Sequence, residues 1–240
     1  MSFEGIVLAG GFGTRMQPLT HFVPKAMVPF MGSPMCLFNI DNLSQCQLGR
    51  LWVNGHHLSE DLKKYLDSLP FPTEFLHEKE ILGTAGTIKK IFELSNADNL
   101  LIANADIICD LDFNKFKKFH TDSSSPVSFC VQNYYKGTNP LHIINQKLVH
   151  IGREPQKKNT DKKSFACVYA INKEFLNFVE IDDFDIMHTF KRHIDKISCY
   201  EFSGFWEDLG SIENYIKANA LVKENATIMS QVKKLLEIKG

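Results

Sequence analysis

The sequence predicts an α/β protein built on a mostly parallel, mixed central sheet with helices on its faces. Two observations predict it. Over the first 110 residues, short apolar runs bounded by turn residues alternate with segments of helical periodicity, the pattern of successive strand–helix units. Residues with chemistry to offer follow two of those runs directly, and in such sheets ligands bind beyond the carboxyl ends of the strands.

The first run, Ile6 to Ala9, is bounded by glycines and reads as a buried strand. It opens into Gly10-Gly11-Phe12-Gly13-Thr14-Arg15, then Pro18, Pro24, Lys25 and Pro29. Glycines let backbone approach a ligand closely, and Arg15 and Lys25 bring fixed positive charge, so the segment reads as an anion site, most simply a phosphate site. It matches neither common nucleotide loop. A Walker loop needs Gly-Lys-Ser/Thr, whereas Gly13 is followed by Thr14-Arg15. A dinucleotide fingerprint needs a third glycine where Met16 stands. The three prolines forbid a regular helix, leaving a loop of about two dozen residues, a length that points to function.

Apolar positions from Met35 to Cys46 keep a helical rhythm, and Leu51 to Val53 form a second strand. Ser59 is placed to cap a helix from Glu60 to Leu69, which Pro70 and Pro72 end. Glu74 to His77 is a strand, a helix follows Gly83-Thr84-Ala85-Gly86 to Leu94, and Leu100 to Ala103 is a buried strand ending in Asn104-Ala105-Asp106. The glycine loop and Asp106 therefore fall on one sheet edge. The second half is less regular: a helix over Phe113 to His120, strands over 127–131, 141–144, 148–151, 165–171 and 197–202, a short helix over 173–179, and a polar, mobile stretch from Glu154 to Lys163. Ser211 to Ile238 reads as a long amphipathic helical region. The organisation expected is a single domain over 1–240, with a regular first half (1–110), a less regular second half (111–210) and a C-terminal helical region (211–240).

With 240 residues, 44% of them apolar, and a net charge of −1, the chain can bury a sizeable core and offers no electrostatic case for nucleic acid or an acidic membrane. No apolar run is long enough to span a bilayer, and no secretory segment opens the chain. The six cysteines lack metal or redox spacing and several sit in apolar runs, which fits a reducing, cytoplasmic setting.

A carboxylate at the end of an apolar strand is costly to bury unless paired or bound to a metal. Asp106 is either a turn or cap residue or such a ligand. Asp110 and Asp112 read as a turn and a helix cap. Asp208, after Phe205-Trp206, is a second strand-end carboxylate, and the two could converge on one magnesium ion beside a nucleotide's phosphates if the fold brings them together. His56-His57, adjacent in sequence, reads as pocket-lining or surface rather than as a metal site.

The run Leu8-Ala9-Gly10-Gly11-Phe12-Gly13-Thr14-Arg15 with Pro18-Leu19-Thr20 and Pro24-Lys25 resembles the signature of sugar-1-phosphate nucleotidyltransferases. The resemblance continues in Leu82-Gly83-Thr84-Ala85-Gly86, Asn104-Ala105-Asp106 and Trp206-Glu207-Asp208-Leu209-Gly210 with Tyr215 and Ala218-Asn219, in family order over nearly the whole chain. The chain's length is similar to that of compact members, of the mannose-1-phosphate guanylyltransferase and N-acetylmuramate-1-phosphate uridylyltransferase types. The resemblance implies a three-layer Rossmann-like nucleotidyltransferase fold and Mg2+-dependent transfer of a nucleotidyl group from a nucleoside triphosphate to a sugar 1-phosphate, by a monomer or homodimer. It implies that Arg15 and Lys25 hold the phosphates at the reacting centre. Leu8, Ala9, Gly10, Gly11, Gly13, Thr14 and Gly86 would bind nucleotide, Asn104, Glu154 and Cys167 the sugar phosphate, and Asp106 and Asp208 the metal. The sugar side departs from the family: Arg153-Glu154-Pro155 stands where many members have Glu-Lys-Pro, and Cys167-Val168 where glycine-isoleucine is frequent. A phosphocholine-type cytidylyltransferase and a nucleotide-sensing regulatory homologue are the alternative readings.

Overall fold

The computed structural model describes residues 1–70, 72–153, 155 and 159–238. In chain order the strands and helices are β1 (Phe3–Leu8), β2 (Pro29–Phe30), β3 (Ser33–Pro34), α1 (Cys36–Ser44), β4 (Leu51–Gly55), α2 (Ser59–Asp67), β5 (Glu74–His77), α3 (Gly83–Leu94), β6 (Asn99–Asn104), β7 (Ile107–Cys109), α4 (Phe113–Ser123), β8 (Val127–Asn133), β9 (Leu141–Ile144), β10 (Lys147–Ile151), β11 (Asp161–Asn172), α5 (Ile186–Arg192), β12 (Ile197–Glu201), β13 (Trp206–Asp208), α6 (Ile212–Leu221) and α7 (Ala226–Glu237). Among the described residues no helix is long and apolar enough to cross a membrane.

The chain forms two compact units. The one that carries the glycine loop comprises Glu4–Ile81, Ala103–Asp110 and Gly204–Gly240. In it β1 pairs in parallel with β4, through Ile6 with Trp52 and Val7 with Val53, and β4 pairs in parallel with β5. β1 and β4 carry continuous apolar stretches over 6–8 and 51–53, as strands covered on both faces do, while β5 at the edge exposes Glu74 and His77. β7 and β13 form a short antiparallel ladder that sets Asp208 opposite Ile107. The core of this unit packs Met16, Phe30, Phe38 and Ile108 against Leu209, Ala218, Val222, Ile228, Val232 and Leu235.

The other unit comprises Met1–Phe3, Leu82–Ile102 and Leu111–Ser203. Its sheet is mixed: β11 runs antiparallel to β8 and β9, β12 parallel to β8, and β10 antiparallel to β12 and β9. The β9–β10 turn at Asn145 and Gln146 has both residues at positive φ (49° and 59°), the geometry of a two-residue hairpin with matching twist. The Phe113, Phe116 and Phe119 stripe of α4 is core: Phe113 and Phe116 are buried, and Phe119 packs on Tyr200.

Several elements differ from the sequence reading, each for a local reason. The glycine loop contains no α-helix, as its prolines require, but winds through three 3-10 turns, Thr14–Met16, Leu19–His21 and Lys25–Met27. Ser59 is the first residue of α2 and not its cap; its hydroxyl bonds His77 Nδ1 at 3.0 Å. The residues 161–163, expected to be mobile, extend β11 and pair with β9. The C-terminal region is two helices, because Asn225 ends the first run and its side chain caps α7 by accepting the Ile228 N–H at 2.8 Å. β7 and α5 were not anticipated, and the strand end expected at Asp208 is that of the short β13; β7, like β13, is three residues long, too short for periodicity to register. Asp112 caps α4 as expected, accepting the Lys115 N–H at 3.0 Å. None of the six cysteines forms a disulfide.

His120 of α4 is buried, with Nδ1 2.8 Å from Ser128 Oγ and Nε2 3.2 Å from Asn99 Oδ1. The Asn99 oxygen can only accept, so Nε2 carries the proton and Nδ1 accepts from the serine. Burial lowers this histidine from 6.5 to about 4. Between those values the unfolded chain binds a proton that the folded chain refuses. Stability that is complete above pH 6.5 is therefore lost as the pH falls toward 4, by up to about 3 kcal/mol. Urea unfolding at pH 7.0, 5.5 and 4.5 should show this slope in the wild type and a flatter one in His120→Gln; equal slopes would contradict the assignment.

Candidate active site

Backbone and side-chain features of one unit meet at the carboxyl end of β1. The Leu8 carbonyl accepts the Ala105 N–H at 3.0 Å, so the exit of β1 lies beside the turn that carries Asp106. The Asp106 carbonyl accepts the Leu209 N–H at 2.8 Å, which brings the end of β13 to the same place. Asn39 of α1 fixes the turn from below, donating through Nδ2 to the carbonyls of Asn104 and Ile107, each at 2.8 Å.

The glycine loop delivers its cations here. Gly13 has φ +67°, and a Cβ on it would lie 2.8 Å from Lys25 Cβ and 2.9 Å from Thr20 Cγ2. Only glycine fits both the conformation and the space. Thr20 Oγ donates to the Gly13 carbonyl at 2.9 Å, closing the loop on itself. Met16, Ala26, Val28 and Phe30 are buried and anchor it. Gly11, in contrast, has nothing within 4 Å of a built Cβ, so nothing in its surroundings excludes a side chain.

Lys25 Nζ makes an ion pair with Asp106 Oδ2, both side chains only 15% exposed. Around Gly210 the crowding is closer still. A Cβ built there would be 2.6 Å from Asp208 Oδ1, 2.8 Å from an Arg15 guanidinium nitrogen and 3.1 Å from Asp106 Oδ2. Two carboxylate oxygens and one cation thus share the space that glycine leaves. The Gly210 N–H donates to Asp208 Oδ1 at 2.6 Å. Burial and the neighbouring Asp106 charge push the Asp208 carboxyl above its ordinary value, against the pull of the Gly210 N–H, Lys25 and Arg15.

This donor set fits a hard divalent cation. Two hard oxygen ligands converge beside Gly210, where a side chain on that residue would intrude. Two carboxylates are a protein ligand set that Mg2+ accepts, since it completes its shell with water and substrate phosphates.

The structure places Leu8, Ala9, Gly10, Gly11, Gly13, Thr14, Arg15, Lys25, Asn104, Asp106 and Asp208 in this one unit. Gly86, in the first turn of α3, and Cys167 belong to the other unit. Cys167 sits at φ +56° where the β11–β8 register shifts between Phe165 and Tyr169, a bulge conformation that favours glycine. Glu154, Lys157 and Lys158 lie outside the described residues. Asp110 is structural: its Oδ1 accepts the Phe205 N–H at 2.7 Å.

Sequence reasoning missed Asn54 and Glu78. Both are buried beside the exit of β1, with Asn54 accepting the Ala9 N–H at 2.7 Å and donating to Glu78 Oε1 at 2.8 Å. For Asn54 the available signal was a polar residue directly after the apolar run Leu51-Trp52-Val53, the kind of signal that singled out Asp106; Glu78 follows His77 and carried no such signal.

Residues 4–139 match the family described as nucleotidyl transferase. The mannose-1-phosphate guanyltransferase of Saccharomyces cerevisiae is 30% identical over 245 residues, which cover 97% of this chain and 68% of the yeast protein. Mannose-1-phosphate guanyltransferase 2 of Candida glabrata is 28% identical, over 91% of this chain and 64% of its own length. The chain therefore spans 64% to 68% of the length of these relatives. A putative glucose-1-phosphate thymidylyltransferase from Bacillus anthracis aligns with TM-score 0.77 at 19% identity, covering 95% of this chain and 99% of that one. HddC from Yersinia pseudotuberculosis, solved with GMP-PN, aligns with TM-score 0.75 at 21% identity, covering 92% and 99%. At these identities the structures bear on the fold, which is the mixed α/β, Rossmann-like one. With more than half its length inside the family match, the chain belongs to the nucleotidyl transferase family.

Proposed function

We propose that the protein transfers a nucleotidyl group, guanylyl in the favoured reading, from a nucleoside triphosphate to a sugar 1-phosphate of the mannose 1-phosphate type, with Mg2+. The observation that carries the reading is the meeting of Arg15, Lys25, Asp106 and Asp208 around Gly210 at the end of the glycine loop. The names of the relatives support the sugar and the base. So does Glu78, a buried acceptor-only group beside Gly10, since guanine offers two adjacent N–H donors on its Watson–Crick edge.

In this reaction a sugar-phosphate oxygen forms a bond to the α-phosphorus, the bond from that phosphorus to the bridging oxygen breaks, and pyrophosphate leaves with the electron pair. No covalent protein intermediate is needed, so the protein's part is positioning and charge stabilisation. The glycine backbone admits the nucleotide closely. Arg15, exposed at the loop, binds the leaving phosphates and holds the charge that develops on them. Lys25 exchanges part of its pairing with Asp106 for the reacting phosphate. Asp106 and Asp208 would hold Mg2+, whose chemistry is to neutralise phosphate charge and raise the electrophilicity of phosphorus.

A pyrophosphate-release screen of four triphosphates against several sugar phosphates, with Mg2+, should give its highest rate with GTP and mannose 1-phosphate; silence with every pair would sink the proposal. A cytidylyltransferase would respond to CTP and phosphocholine, and a sensor would bind nucleotide without release. In the productive pair, Lys25→Ala and Asp106→Ala should each lower turnover by about 100-fold or more, the scale of losing one preorganised charge. Wild-type rates in either would remove its role.

Asp208 has a raised pKa, so its ionised form lowers stability above that pKa and the penalty is relieved as pH falls through it. Asp208→Asn should therefore lose turnover yet raise the metal-free melting temperature, by about 2–4 °C for each kcal/mol recovered. Mg2+ should raise the melting temperature of the wild type and leave that of the variant unmoved. A variant that melts lower than the wild type without metal would contradict this electrostatic account.

A further inference from the structure

Asn54, at the carboxyl end of β4, is buried, and both polar atoms of its amide are committed. Oδ1 accepts the Ala9 N–H at 2.7 Å and Nδ2 donates to Glu78 Oε1 at 2.8 Å. Both partners force this orientation, because a backbone N–H only donates and an ionised carboxylate only accepts. One planar group therefore links the backbone at the exit of β1 to the buried carboxylate. Glu78 is held again through its main chain: its N–H donates to the Gly55 carbonyl at 2.9 Å, and its carbonyl accepts from His56 Nδ1 at 2.8 Å. The His56 ring in turn meets Phe12 of the glycine loop edge-on, with centroids 5.3 Å apart. The second carboxylate oxygen lies beside Gly10, where a built Cβ would be 3.3 Å from Glu78 Oε2 and 2.6 Å from Asn54 Nδ2. The four residues Asn54 to His57 thus brace the glycine loop on one side and Glu78 on the other.

We infer that Asn54 is a positioning residue that sets base selectivity: by holding the Glu78 carboxylate against the exit of β1, it fixes the acceptor pair that a guanine edge must meet. The inference rests on the reading of Glu78 as the guanine acceptor. A carboxylate left to rotate would meet the two donors of guanine no better than the single imide N–H of uracil. Selectivity, rather than turnover as such, is then the property that Asn54 controls.

The test is the ratio of kcat/KM for GTP over UTP with the productive sugar phosphate. Asn54→Asp keeps the acceptor for Ala9 and replaces the donor by an oxygen that repels Glu78. It should lower the ratio by about tenfold or more while the sugar-phosphate KM stays within about twofold of the wild type. Asn54→Ser, which is shorter, should do the same and decides the matter if the Asp variant does not fold. Trp52→Phe breaks the bond from Trp52 Nε1 to Glu4 on the same strand (2.6 Å) and should lower the melting temperature while keeping the ratio. If Glu78→Gln loses the preference and both Asn54 variants keep it, the role of Asn54 is overturned alone. If Glu78→Gln keeps the preference, the guanine reading of Glu78 is overturned and the inference with it.

Discussion

The ion pair between Lys25 and Asp106 joins a cation from a long loop to a carboxylate at the end of β6, two groups separated by 81 positions. Each alone would be costly where it stands, because both side chains are largely shielded from water. Together they fix the far end of the glycine loop against the strand ends. Much of the surrounding structure serves that meeting: the left-handed Gly13, the buried Met16 and Phe30, the Asn39 amide under the turn, and the β7–β13 ladder that brings Asp208 alongside. The Tyr215 hydroxyl, donating to the Pro29 carbonyl at 2.6 Å, ties α6 to the loop's exit.

The pair also shows why the arrangement can act on a highly charged ligand. Lys25, Asp106 and Asp208 are held close and partly shielded from water, with the exposed Arg15 beside them, so each charge is felt by its neighbours. The raised Asp208 carboxyl is the local record of that crowding. Two carboxylates kept in mutual repulsion cost stability, and under the proposed function a bound cation with its polyphosphate would relieve that cost and couple stability to ligand binding.

Much of this was legible in the sequence, for identifiable reasons. The β1, β4 and β6 strands are centred on apolar runs with clear punctuation, and Gly13, Arg15, Lys25 and Asp106 follow strand ends in the order expected of a loop at a sheet edge. Asp112 announced itself as a cap by its place before an apolar helix. What was not legible depended on partners distant in the chain. Asp110 was read as a turn residue, but nothing local showed that its partner would be the Phe205 N–H, 95 positions away. Asn54 and Glu78 lie 24 positions apart and become one unit only when β4 and β5 pair. The three-residue β7 and β13 exist because they pair with each other, which no local pattern records.

The central claim is that this unit binds a nucleoside triphosphate through a metal that Asp106 and Asp208 hold. Calorimetric titration of GTP into the wild-type protein, with Mg2+ and then with a chelator, tests it most directly. The account predicts tight binding with Mg2+, weakened at least tenfold by the chelator, and a loss of that metal dependence when both aspartates are changed to alanine. Equal affinity with and without metal in the wild-type protein would contradict it.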